Sequence, residues 1–207
     1  MLDTRAVMDL CVDRLGSDRF FMVGFCSGAE VAYRCALVDE RLVGILLWDL
    51  YAYPTWRSRL NTLLYKVRRA GPGGIARKFA RTLHAWAGKA SAAVVEKRQL
   101  QDLEPPRVPS IEEFAQGLAT LAGRGASVLV MFCGGEPHWY NYEAQFKDSM
   151  RRFPATAPVR CVQLPGSDHL LTQAPCRTDF IASLQRWLLD AGLSSPVGAS
   201  RARQACG

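Results

Sequence analysis

Long apolar runs are missing from this chain of 207 residues; none approaches 18 residues, so no transmembrane helix is expected. The N-terminus lacks the basic region and following apolar stretch of a secretory signal. Paired cysteines are missing too: there are seven, an odd number, and none form a C-x-x-C pair. That argues against a disulfide frame or a zinc site and for reduced thiols in a cytoplasmic protein. Histidine is scarce, so imidazole chemistry must come from His84, His138 or His169. Acids are nearly absent between Trp56 and Arg98, where eleven Lys and Arg face the single acid Glu96. That excess is larger than the net charge of +7 of the whole chain. No recognised nucleic-acid module surrounds the basic block, so nucleic acid is not the expected partner. The block reads as a solvated face, or as one that attracts an anionic substrate or a membrane surface.

What is present is an ordinary globular composition, 49% hydrophobic and 22% charged, long enough for one substantial core and an inserted subdomain. The stretch that organises it is Phe20 to Ala29, FFMVGFCSGA. A short apolar run is followed at once by small residues, and then by Ala29, Val31, Ala32, Cys35 and Ala36 at helical spacing. This is the strand, turn and helix context of a nucleophile elbow, G-x-Nu-x-G, with Cys26 at its centre. The elbow demands small residues two before and two after the nucleophile, and these are Gly24 and Gly28. With Ser27 as nucleophile they would be Phe25 and Ala29, and a phenylalanine does not fit. The competing reading is a buried structural cysteine in a glycine-punctuated turn.

Residues 3 to 15 carry Ala6, Val7, Leu10, Cys11 and Leu15 at helical intervals, with Asp3 or Thr4 placed to cap the first turn and Gly16 to end it. After the elbow helix, Val38 to Arg41 is a polar break. Leu42 to Leu50 is nearly all apolar, as expected of a strand covered on both faces of a parallel sheet. Strand, helix, strand is a βαβ unit. From about Tyr51 to Gly125 the rhythm becomes helical. Trp56, Leu60, Leu63, Leu64 and Val67 form one apolar stripe, Gly71 to Gly74 breaks it, and Ile75, Phe79, Leu83 and Trp86 form a second. Two arginine-rich amphipathic helices placed after a strand end read as a cap over the site. Glu104-Pro105-Pro106 is a linker, and Ser110 to Glu113 starts a third helix with capping-box chemistry. The sheet resumes at Ser127 to Cys133, breaks at Gly134 to Pro137, and enters a helix containing Tyr142 and Phe146. Pro158 to Leu164 is another strand, ending in Pro165 to His169. A closing amphipathic helix carries Phe180, Ile181, Leu184, Trp187 and Leu188. The domains expected are core 1–50, basic helical cap 51–125, core 126–192 and a disordered tail 193–207.

A cysteine attacks as a thiolate, which needs a base or a positive environment. Cys26 sits at a helix start, where free N–H groups and the dipole favour an anion. The base is expected on a later loop at the same sheet edge. His169 lies directly after the last strand and suits this best, because His84 is inside a cap helix and His138 stands beside a better acid candidate. A carboxylate should orient the imidazole. Glu136, after the strand preceding the histidine strand, gives the chain order nucleophile, acid, histidine. Asp49, at the end of the strand following the elbow, is its competitor, while Asp168 adjoins His169 and should point away from it.

The elbow GFCSGA, the strand LVGILLWDLYAYPT, the turn CGGEPHWYNYEAQF and the terminal SDHLLT before a helix ending QRWLL together resemble the C-terminal two-thirds of an α/β-hydrolase. The chain resembles the cysteine-elbow group encoded near exosortase and surface-polysaccharide genes, and the thiol also resembles that of dienelactone hydrolases with their Cys, Asp, His triad. The resemblance implies an α/β fold, a mostly parallel sheet with helices on both faces and a helical cap, with the strands that normally precede the elbow missing. It implies Cys26 as nucleophile, His169 as base, Glu136 as acid and the Ser27 backbone N–H as an oxyanion donor. The activity implied is that of an esterase, thioesterase or acyltransferase acting on a small or lipid-linked acyl or glycan substrate, with no metal and no organic cofactor. The bare sheet edge implies an N-terminal half or a partner chain covering it. The rival expectation is a catalytically impaired remnant of that fold that binds a partner.

Overall fold

The computed structural model describes residues 2–87, 108–134, 139–153 and 159–192. The elements in chain order are α1 (Leu2–Leu15), β1 (Phe20–Phe25), α2 (Ser27–Val38), β2 (Leu42–Trp48), α3 (Trp56–Ala87), α4 (Ile111–Gly123), β3 (Ser127–Cys133), α5 (Gln145–Ser149), β4 (Val159–Leu164) and α6 (Ala174–Asp190). The four strands form one sheet in the order β1-β2-β3-β4, every pair parallel. This is an α/β protein with helices on both faces of a parallel sheet.

Alternation along each strand explains the two layers. Ile45 and Leu47 of β2, with Val128 and Val130 of β3, point into a core that also takes Ala32, Tyr33 and Ala36 of α2 and Phe114, Leu118 and Leu121 of α4. Leu46 and Trp48, with Leu129 and Met131, point the opposite way and meet Cys176, Phe180 and Trp187 at α6. The central strands β2 and β3 are therefore apolar at almost every position, as strands covered on both faces must be. At the sheet margin formed by β1, Val23 and Phe25 are exposed.

Turn chemistry places the boundaries. Gly16, at φ 65, ends α1 and donates to the Val12 carbonyl. Ser110 opens α4 with a capping box, its hydroxyl accepting from the Glu113 N–H while the Glu113 carboxylate accepts from the Ser110 N–H. Strand β2 stops at Trp48 rather than Leu50, because Asp49 turns into the left-handed region at φ 50. Gly71, at φ 62 and ψ 173, interrupts α3 where the glycine-rich break was expected. Helix α5 takes in Phe146 but not Tyr142, which sits in the preceding turn. The linker at 104–106 and the tail from 193 lie outside the described residues. Among the described residues no helix is long and apolar enough to cross a membrane.

Candidate active site

Strand β1 delivers the chain to Cys26, which stands between Phe25 and the first residue of α2 at φ 51 and ψ −118. That conformation is strained for any residue with a Cβ. It is held by two backbone bonds: the Cys26 N–H donates to the Trp48 carbonyl at 3.1 Å, and the Cys26 carbonyl accepts from the Ala29 N–H at 3.0 Å. The side chain is exposed, unlike that of a packed structural cysteine. Gly24 is required by this turn, since a Cβ there would run into the Gly28 carbonyl and the Ala29 backbone. The expected need for a small residue at Gly28 is not met in the same way. A Cβ on Gly28 finds open space, because the crowding falls on the Gly28 backbone rather than on its side-chain direction. Ser27 opens α2, so its N–H belongs to the helix's first turn and has no partner within the helix.

Strand β2 delivers the carboxylate. Asp49 is buried at the strand end, its N–H donating to the Met131 carbonyl at 2.8 Å. One carboxylate oxygen accepts from the Cys133 N–H and the other lies against Nδ1 of His169, both at 2.8 Å. A buried carboxylate needs such partners. The Asp49 side chain is 3% exposed and the His169 side chain 38%, so the pair is sealed on the acid side and open on the imidazole side. In the tautomer whose Nδ1–H donates to Asp49, Nε2 of His169 carries the lone pair that can accept a proton.

The loop after β4 holds His169 in place. The Trp48 indole N–H donates to the His169 carbonyl at 2.9 Å, so the same tryptophan anchors the cysteine turn through its carbonyl and the histidine loop through its ring. Ser167, fully buried, donates to the Leu164 carbonyl at 2.7 Å and accepts from the Gly134 N–H at 3.4 Å. Asp168 does point elsewhere: it accepts from the backbone N–H groups of Leu170 and Thr172 and from the Thr172 hydroxyl. Those bonds, the Thr172 hydroxyl first, hold its carboxyl below the usual range.

Glu136 and His138 lie outside the described residues, and His84 falls on α3 in a stretch whose side chains are not described. The carboxylate against His169 is therefore the competitor named from sequence, Asp49. A signal for it exists in the sequence, since Asp49 is the lone carboxylate closing an otherwise apolar strand. Trp48 and Ser167, which tie the loops together, carried no such signal. Among the described residues no cluster of three or more His, Cys, Asp or Glu is placed to hold a metal ion.

The segments that follow β2 and β3 line, together with α3, a cavity of about 460 Å³ whose wall includes none of Cys26, Asp49 and His169. Ala52 and Pro54 wall one side, Trp139 another, and α3 contributes Leu63 with the cations Arg59 and Lys66. In open parallel sheets ligands bind outside the carboxyl ends of the strands.

These features define an α/β protein carrying a thiol, an imidazole and a buried carboxylate at the same end of one parallel sheet. No protein-family model matches the chain, and no curated protein matches it. Among solved structures it is similar to NosK from Streptomyces actuosus, at 17% identity and a TM-score of 0.42, over 92% of this chain and 76% of that one. It is also similar to a structure from work on carboxylesterases of the ammonia-oxidizing thaumarchaeon Nitrososphaera gargenis, at 14% identity and 0.42, over 90% and 73%. A thioesterase domain from the curacin biosynthetic pathway matches at 15% identity and 0.41, over 86% and 70%.

Proposed function

We propose that this chain is an α/β-hydrolase-type enzyme acting on an ester or thioester, with Cys26 as nucleophile. The observation that carries the reading is the Asp49–His169 pair at 2.8 Å, tied through Trp48 to the strained, exposed Cys26 turn. In this reading Nε2 of His169 takes the Cys26 thiol proton and the thiolate sulfur attacks the acyl carbonyl. The carbonyl electron pair moves onto oxygen, where the Ser27 N–H at the positive end of α2 donates to it. Collapse of this intermediate expels the alcohol or thiol, which leaves with the proton from His169. The acyl group is left on sulfur as a thioester. Water, or an alcohol acceptor, then gives its proton to His169 and attacks that thioester, regenerating the thiol. Asp49 fixes the tautomer and stabilises the imidazolium. Glu136 is the second candidate for that carboxylate. The cavity with Arg59 and Lys66 is lined by none of Cys26, Asp49 and His169, so in this reading it has room for a distal, anionic part of the substrate rather than for the reacting acyl group.

The test is hydrolysis of short p-nitrophenyl esters and of an acyl thioester by the purified chain, with intact-mass detection of an acyl adduct. Cys26→Ala should remove both turnover and adduct. Asp49→Asn should lower turnover by about 100-fold or more, and Glu136→Gln should leave it close to the wild type. The reverse ranking would give the acid role to Glu136. Folded protein without an adduct on any of these substrates would favour a non-catalytic binding protein.

A further inference from the structure

Helix α3 is built inside out. At 3.6 residues per turn, Trp56, Leu60, Leu63, Leu64 and Val67 share one stripe about 100° wide. All five are between 42% and 77% exposed. The opposite side, which packs on the body, is polar. Ser58 is buried there, and the Asn141 amide donates to the Ser58 carbonyl at 2.9 Å and to the Thr62 hydroxyl at 3.1 Å. An ordinary surface helix does the reverse, with its apolar stripe inward and its polar face to water.

The charge on the helix is of one sign. Its 32 residues contain eight Lys and Arg and no Asp or Glu. On the helical wheel, Arg57 and Arg68 flank the stripe on one margin, and Arg59 and Lys66 on the other. All four of these long side chains are exposed; the Arg57 guanidinium lies over the Tyr142 ring, 4.6 Å from its centre, and long cationic chains of this kind run along an apolar surface with the charged head at its edge. An outward apolar stripe headed by tryptophan, with cations on both margins and no acid, matches an anionic lipid surface in both hydrophobicity and charge. A soluble acidic partner would use the charges but leave the stripe unexplained.

We infer that α3 docks this protein on an anionic bilayer, with the Trp56 to Val67 stripe in the acyl boundary and the flanking cations among the lipid headgroups. Arg59, Leu63 and Lys66 also line the cavity, so this margin of the stripe forms part of its wall. The inference does not depend on the chemistry proposed for Cys26.

The test is co-sedimentation of the full chain with vesicles of phosphatidylglycerol mixed with phosphatidylcholine, against phosphatidylcholine alone, over a range of salt. The mixed vesicles should bind at least about tenfold more tightly, and added salt should weaken them. Leu60→Ser with Leu64→Ser, and separately Arg57→Gln with Arg68→Gln, should each weaken binding by about tenfold or more while circular dichroism and melting stay close to the wild type. None of these four residues lines the cavity. Equal binding to both vesicle types, or binding untouched by the leucine pair, overturns the inference. So does a dimer dissolved by the leucine pair with no vesicle binding, which would assign the stripe to a second copy. Salt-sensitive retention on DNA with no vesicle binding would assign the cations to nucleic acid and overturn it as well.

Discussion

Helices α3 and α4 begin in the same way and end in opposite environments. At α4 the Ser110 hydroxyl and the Glu113 side chain exchange bonds with each other's backbone N–H. At α3 the Thr55 N–H donates to the Ser58 hydroxyl at 2.8 Å, and the Ser58 N–H donates to the Thr55 hydroxyl at 3.0 Å. Both helices then carry apolar residues at helical spacing. In α4 these are Phe114, Leu118 and Leu121, all buried against α2 and the sheet. In α3 they are Trp56, Leu60, Leu63, Leu64 and Val67, all exposed. The caps and the spacing account for the existence of each helix. Where its apolar stripe goes depends on what else the body offers, and the polar Ser58, Asn61 and Thr62 commit α3 to the other orientation.

Truncation separates the two helices most strongly. Phe114 is fully buried, with its ring against those of Tyr33, Tyr51 and Tyr53. Phe114→Ala should cost about 3 to 5 kcal/mol in urea unfolding, whereas Leu63→Ala should change stability by about 0.5 kcal/mol or less. A large loss at Leu63 would mean that the α3 stripe is covered after all.

The α2–α4 contact gives a second, smaller effect. A Cβ on Gly117 would collide with the Tyr33 hydroxyl, which donates to the Phe114 carbonyl at 3.3 Å. Burial pushes the Tyr33 phenol up to about 12, so it stays a neutral donor. Gly117→Ala should cost about 1 to 3 kcal/mol by overpacking. Adding Tyr33→Phe should recover part of that, because the colliding oxygen is then gone. A double variant no better than Gly117→Ala alone would show that the clash is not with this hydroxyl.

The strands and the α4 cap could be read from the sequence because local rules decide them. Ser127–Cys133 is a strand over the span its unbroken apolar run predicts, and the end of β2 differs only because Asp49 adopts a left-handed turn. Cys26 at a strand-to-helix turn was legible from the small residues around it, though only Gly24 is crowded through its side-chain direction. The carboxylate facing His169 was not legible in the same way. Asp49 lies 120 residues away in sequence, and Asp49 and Glu136 both follow the end of a strand. Choosing between two strand ends is a question of sheet order and loop path, which no local pattern encodes. The outward stripe of α3 was hidden for the same reason, since a helical wheel gives the width of a stripe but not the side the body takes.

Acid should sharpen the comparison by acting on the two attachments unequally. Asp39, at the α2 end of the body, accepts from the Arg41 side chain at 3.0 Å and 2.8 Å. Those bonds lower its carboxyl to about 2, from an ordinary value of 3.8. A lowered pKa means that the stabilisation is complete above the ordinary value and is lost as pH falls from about 4 through about 2. The Asn141 amide that clips α3 to the body has no proton to gain in that range. Melting followed from pH 5 to pH 2 should therefore show a loss that Asp39→Asn reduces and Asn141→Ala does not. Equal acid sensitivity in the two variants would remove Asp39 as the titrating group.

The smallest expected effects concern the caps. Ser110→Ala should cost about 1 kcal/mol of global stability, because the cap it removes opens a helix whose far side is core. Thr55→Ala removes the matching cap on α3, where little of the helix is buried, and the loss should be local rather than global. Hydrogen exchange of the first α3 amides should speed up by about fivefold, which corresponds to about 1 kcal/mol of local opening, while the urea midpoint moves little. If Thr55→Ala lowers the urea midpoint as far as Ser110→Ala does, then α3 unfolds with the body as one cooperative unit. The contrast between the two helices would then be one of surface chemistry alone.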